Sequence, residues 1–70
     1  MERSEELAAR IGTSIRHARK DAGLTQQQLG ELAGLSDRTV REIELGSGTP
    51  GLGAVLDVLA VLGLDLTVSP

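Results

Sequence analysis

Leu7, Ile11, Ile15, Ala18 and Ala22 recur at spacings of three and four, which predicts an amphipathic helix reaching about Ala22. Ser4 is placed to cap its start, with Glu5 and Glu6 in the first turn, where carboxylates suit the positive helix end. Gly23 stands where a left-handed C-cap belongs. Thr25 with Gln28 three residues on spells a capping box. It opens a short second helix whose apolar stripe is Leu29, Leu32 and Ala33, and Gly34 closes that helix. Leu35 is expected to pack inward across the turn, and Ser36 to cap a third helix. There Val40 and Ile43 face the core with Glu44 near their edge. At about 100° per residue, Arg38 and Glu42 lie opposite, with Arg41 beside them and Asp37 in the first turn.

The pattern changes character after residue 45. Residues 45–51, "LGSGTPG", are a loop of turn formers, with Pro50 suited to a helix start. A fourth helix is expected at about residues 52–62. In it Val55, Leu56, Val58, Leu59, Val61 and Leu62 cover nearly the whole circumference, and only Asp57 is charged. A helix apolar all round has to be buried on more than one side. So short a domain cannot wrap it, and its second face is expected to meet another chain. Residues 64–68 then alternate apolar and polar, the periodicity of a strand. A lone strand in a helical chain points to pairing with the same strand of a second subunit; the alternative is a frayed C-terminus.

Composition sharpens this picture. The chain has 70 residues, 40% of them hydrophobic, with no Phe, Tyr or Trp. The core must therefore be aliphatic, without the large area each aromatic buries. Domains of this size often need a staple or a partner. With no cysteine and a single histidine, disulfides and a self-sufficient zinc site are excluded. Oligomerisation is the remaining source of extra stability. The N-terminal stretch is charged and no apolar run approaches the roughly 20 residues of a membrane span, so a soluble, cytoplasmic protein with no membrane partner and no cofactor is expected. The net charge is -3, which by itself argues against nucleic acid. The charge is polarised, however. Arg10, Arg16, Arg19, Lys20, Arg38 and Arg41 against Asp21, Glu31 and Asp37 leave the middle of the chain positive and the two ends negative.

Two short helices joined by "AGLS", the second with an exposed polar face, form a helix-turn-helix arrangement, whose second helix fits the major groove of B-DNA. Residues 23–46, "GLTQQQLGELAGLSDRTVREIELG", resemble the Xre or lambda-repressor-like helix-turn-helix family. The likeness rests on Gly23-Leu24-Thr25-Gln26, Leu29, Gly34-Leu35-Ser36, Val40, Ile43-Glu44 and Gly46, and it extends over roughly residues 10–64. It implies an all-α, four- to five-helix lambda-repressor-like domain spanning residues 1–70. The helix-turn-helix core is then residues 25–45, and the dimerisation helix and C-terminal β-strand are residues 52–69. Gly30 departs from the usual alanine and should weaken the second helix by up to about 1 kcal/mol.

The resemblance also implies roles. Thr25 and Gln26 open the second helix, where Gln26 should bind a phosphate and brace the recognition helix. Ser36, Asp37, Arg38, Thr39 and Glu42 stand at DNA-contacting positions, and Arg41 is close enough to reach a base edge or the backbone. Arg19 and Glu44 match a structural ion pair. Ser47 and Thr49 are weaker candidates for the DNA backbone, and Arg16, His17 and Lys20 are expected to be surface residues. The C-terminal stretch, "GLGAVLDVLAVLGLDLTVSP", resembles HipB-like antitoxins, implying a homodimer closed through Val55, Leu59, Leu62, Leu64, Leu66 and Val68. The partners implied are double-stranded operator DNA and a HipA-like kinase toxin. The chain stops at Pro70, so a toxin contact made by a longer tail in some relatives is not carried over.

Other readings differ in what they require. A stand-alone regulator needs no toxin, and a protein-interaction module on this scaffold needs no DNA; the acidic total favours the latter. An enzyme has little support. No nucleophile–base pair or metal cluster is evident, and Gly46, Gly48, Gly51 and Gly53 are not spaced as a dinucleotide fingerprint.

Overall fold

The computed structural model describes residues 2–69. Their secondary structure is four helices: α1 (Glu2–Asp21), α2 (Gln26–Ala33), α3 (Asp37–Leu45) and α4 (Leu52–Leu62). The boundaries follow from local chemistry. The Thr25 hydroxyl accepts from the Gln28 amide at 3.0 Å while the Gln28 side chain accepts from the Thr25 amide at 2.9 Å, completing the capping box. Ser36 caps α3 by accepting from the Thr39 amide at 3.1 Å. Each helix is followed by a glycine with positive φ, at Gly23, Gly34, Gly46 and Gly63, the left-handed conformation that ends a helix without strain.

The core takes one fully buried aliphatic residue from each helix: Ile15, Leu29, Val40 and Val58. Ile43 and Leu59 complete it, and Ile11, Leu24, Ala33, Leu35, Ala54, Val55, Val61, Leu62 and Leu64 pack around them. Burying one such side chain contributes about 1.5–3 kcal/mol. Each of α1 and α2 packs against both α3 and α4. Where α1 crosses α3, the two backbones touch. A methyl group on Gly12 would sit on the carbonyl oxygens of Ile43 and Glu44, and one on Gly46 would lie 2.7 Å from the Ala9 Cα.

The structure departs from the sequence pattern in several places. Ser4 lies inside α1 rather than capping it, because Glu2 and Arg3 are themselves good helix formers. Leu7 and Ala22, at the two ends of the α1 stripe, are exposed. Leu32 is 63% exposed; it lies about 100° round the helix from Ala33, and two turns of α2 offer the core only one row. Pro50 precedes α4 by two residues, and Gly51 takes the N-cap position without a side-chain bond. No strand forms among the described residues. The alternation of residues 64–68 has no ladder partner within one chain, and the Leu64 amide instead donates back to the Leu59 carbonyl at 2.9 Å as part of the α4 cap. Gly30 is more than a weak point in α2. It is buried, a Cβ there would meet the Leu35 carbonyl oxygen at 2.5 Å, and its own carbonyl accepts from the Leu35 amide at 2.7 Å. The turn between α2 and α3 closes onto this glycine.

Candidate nucleic-acid interface

The position of α3 is set from behind by a buried polar cluster. Arg19 on α1 grips Glu44 on α3 with two bonds, Nε to Oε2 at 2.6 Å and NH2 to Oε1 at 3.0 Å. Its NH1 donates to the Leu24 carbonyl at 2.8 Å, tying in the turn before α2. Gln26, at the first residue of α2, donates from Nε2 to Glu44 Oε1 at 3.2 Å. Three elements therefore meet on one carboxylate. Among the described residues, no buried side-chain nitrogen or oxygen lacks a hydrogen-bond partner, the condition under which a buried ion pair is tolerated.

With its inner row fixed by Val40, Ile43 and Glu44, α3 turns the opposite row to solvent. The Arg38 side chain is 83% exposed, and its Nε donates to Glu42 Oε1 at 3.2 Å. Arg41 NH2 lies 3.8 Å from Asp37 Oδ2. These are i,i+4 pairs of the kind that contribute a few tenths of a kcal/mol, roughly 0.2–0.5, on a helix surface. Thr39 is half-buried beside them, and its hydroxyl lies 3.0 Å from that of Ser36. Thr25 is exposed and Gln26 half-buried at the start of α2. Asp37, Arg38, Thr39, Arg41 and Glu42 thus lie along α3 with Ser36 as its cap, while Thr25 and Gln26 stand at the capping end of α2. Ser47 and Thr49 are exposed in the following loop, where the Ser47 hydroxyl donates to Thr49 Oγ1 at 3.1 Å. Arg16, His17 and Lys20 are exposed on α1.

The expected dimer residues divide. Val55, Leu62 and Leu64 are half-buried, Leu66 is exposed, and Val68 is 90% exposed. Leu59 is only 6% exposed, because it packs into the chain's own core. Sequence reasoning missed Leu52 and Leu56 as exposed apolar residues of α4, at 63% and 44%. It also missed Leu45, exposed at the end of α3. An apolar helix does not announce which row it leaves uncovered. Two adjoining open grooves flank Leu66, sharing Ile11 as a wall; Leu7, Leu59 and Leu64 line one, and Leu52 and Val55 the other.

Residues 15–68 match the family described as helix-turn-helix. The chain belongs to the Xre-like helix-turn-helix family. This helix-turn-helix protein is similar to two proteins of Sinorhizobium fredii, each named an uncharacterized HTH-type transcriptional regulator. It is 37% identical over 60 residues to y4mF, covering 86% of this chain and 79% of the relative. To y4dL it is 33% identical over 60 residues, covering 86% of this chain but 31% of that longer relative. An uncharacterized HTH-type transcriptional regulator of Haemophilus influenzae is 31% identical over 68 residues, covering 97% of this chain and 69% of the relative. No helix among the described residues is long and apolar enough to cross a membrane.

Proposed function

We propose that this chain is a sequence-specific DNA-binding transcriptional repressor that acts as a homodimer on double-stranded operator DNA. The observation that carries the reading is the outward row of α3, a set of donors and acceptors on a helix braced from behind by Arg19, Glu44 and Gln26. In this reading α3 enters the major groove. Arg38 offers two parallel N–H bonds to guanine, and Asp37 and Glu42, which only accept, suit the amino group of cytosine. Gln26 keeps one amide hydrogen for a phosphate, and Thr25, Ser36, Ser47 and Thr49 supply neutral backbone contacts. The relatives' names as transcriptional regulators support the same reading.

The α4 face and the tail supply the dimer. Leu52, Leu66 and Val68 leave apolar surface open around the two grooves, and a second copy related by a two-fold axis covers it, with the tails pairing as strands. Two such protomers call for a palindromic operator with half-sites about one helical turn, or a multiple of it, apart. The likeness of the C-terminal stretch to HipB-like antitoxins extends the proposal to autoregulation of a toxin–antitoxin operon and to a HipA-like kinase toxin as protein partner.

Footprinting on the chain's own promoter tests the reading. Arg38→Ala is expected to weaken specific binding by about 1–3 kcal/mol per half-site and to relax base preference at one position in each. Unchanged affinity and unchanged preference in that variant would remove Arg38 as a reader. One observation favours a protein-interaction module instead: the outward row of α3 carries as many carboxylates as arginines. Salt separates the two readings, because DNA binding weakens steeply as salt rises.

A further inference from the structure

Paired within α3, the two arginines meet DNA in an unusual electrostatic setting. Arg38 and Arg41 are matched by Glu42 and Asp37. The candidate backbone contacts around them, Thr25, Gln26, Ser36, Ser47 and Thr49, are uncharged, and Arg19 is buried. This face therefore lacks the excess of cations that gives a DNA-binding protein its sequence-independent affinity.

The two pairs are not equivalent. Glu42 is the anchored partner, its side chain 27% exposed against 83% for Arg38. With Nε given to Glu42 and the side chain 83% exposed, the terminal NH1 and NH2 edge remains to donate elsewhere. That edge carries two parallel N–H bonds, the pattern that meets O6 and N7 of guanine. A phosphate, by contrast, would have to approach an arginine already neutralised and a carboxylate that repels it. The Arg41–Asp37 pair, at 3.8 Å and with both side chains more than half exposed, is looser.

We propose that Glu42 is a specificity residue that acts by positioning Arg38: it orients the guanidinium toward guanine and denies it to phosphates, so that this surface discriminates between sequences by suppressing non-specific binding. The proposal rests on the DNA-binding reading given above.

Binding of wild type, Glu42→Gln and the double variant Glu42→Gln with Arg38→Ala is measured against the chain's own promoter and a random duplex of equal length, across a salt series. Base preference is read by selection from a randomised duplex pool. Glutamine keeps an acceptor for Arg38 Nε, removes the charge and turns the second carboxylate oxygen into an uncharged amide donor. In Glu42→Gln, affinity for the random duplex is expected to rise about tenfold, and the slope of log K against log salt to steepen by about 1.8 for the dimer, roughly 0.9 for each of the two added phosphate contacts. Preference for guanine at the Arg38 position should flatten, and the double variant should return the slope to that of wild type. A Glu42→Gln protein with wild-type slope and wild-type base preference overturns the proposal. A wild-type chain that binds neither duplex overturns the DNA reading itself, and this proposal with it.

Discussion

Glu44 accepts hydrogen bonds from Arg19 Nε, Arg19 NH2 and Gln26 Nε2, so one buried carboxylate joins three segments of the chain. Removing it would leave a buried guanidinium without its counter-charge. Glu44→Ala is expected to destabilise the domain by about 3–5 kcal/mol, read as a shift of the urea midpoint. That is a large share of the stability a domain this small can have, at roughly 0.05–0.15 kcal/mol per residue. Only part of this cluster was legible in the sequence. Arg19 and Glu44 could be paired through the family likeness, because the positions match, and no periodicity relates residues 25 apart. The bond from Arg19 to the Leu24 carbonyl had no signal at all, since a main-chain acceptor has no residue type. Gly30 was legible as a departure but not in its meaning. Its packing against Leu35 depends on how α2 and α3 meet.

Among the elements, the short-range signals carried furthest. Thr25, Gln28 and Ser36 act on amides three residues away, and the terminating glycines act on carbonyls of the turn just completed. Such features are written where they are used. Ser36→Ala is expected to cost about 1 kcal/mol of stability, measured by urea denaturation. If α3 is the reading helix, the same variant also loosens its first turn, where Asp37 and Arg38 sit. Exposure was harder to foresee. Leu32 and Leu7 satisfy the helical period, yet a stripe says only which residues share a side, not whether anything lies against that side. The limits of α4 could be placed from its run of apolar residues, whereas its uncovered row at Leu52 and Leu56 depends on where α1 and α2 stop. The tail shows the same limit. Its alternation describes what residues 64–68 are suited to, and a strand exists only when another supplies the ladder.

For the molecule as a whole, the exposed leucines set the expectation. Leu52, Leu56 and Leu66 are each more than two-fifths exposed, and Val68 almost wholly so, around a core in which six aliphatic side chains are buried among the described residues. Covering this surface with a second copy couples folding to association, so the melting temperature should rise with protein concentration. Leu52→Glu leaves the protomer core untouched and is expected to shift the chain from dimer to monomer at micromolar concentration, as read by sedimentation. A wild-type chain that sediments as a monomer there would remove the dimer from the proposal. The contact of α1 with α3 at Gly12 and Gly46 bears on how such a protein can change. Because main chain rests on main chain, the tilt of the third helix owes nothing to the residues on its outer surface. Those outer positions can be rewritten together for a new target while their mounting stays as it is, and a substitution at either glycine would re-aim all of them at once.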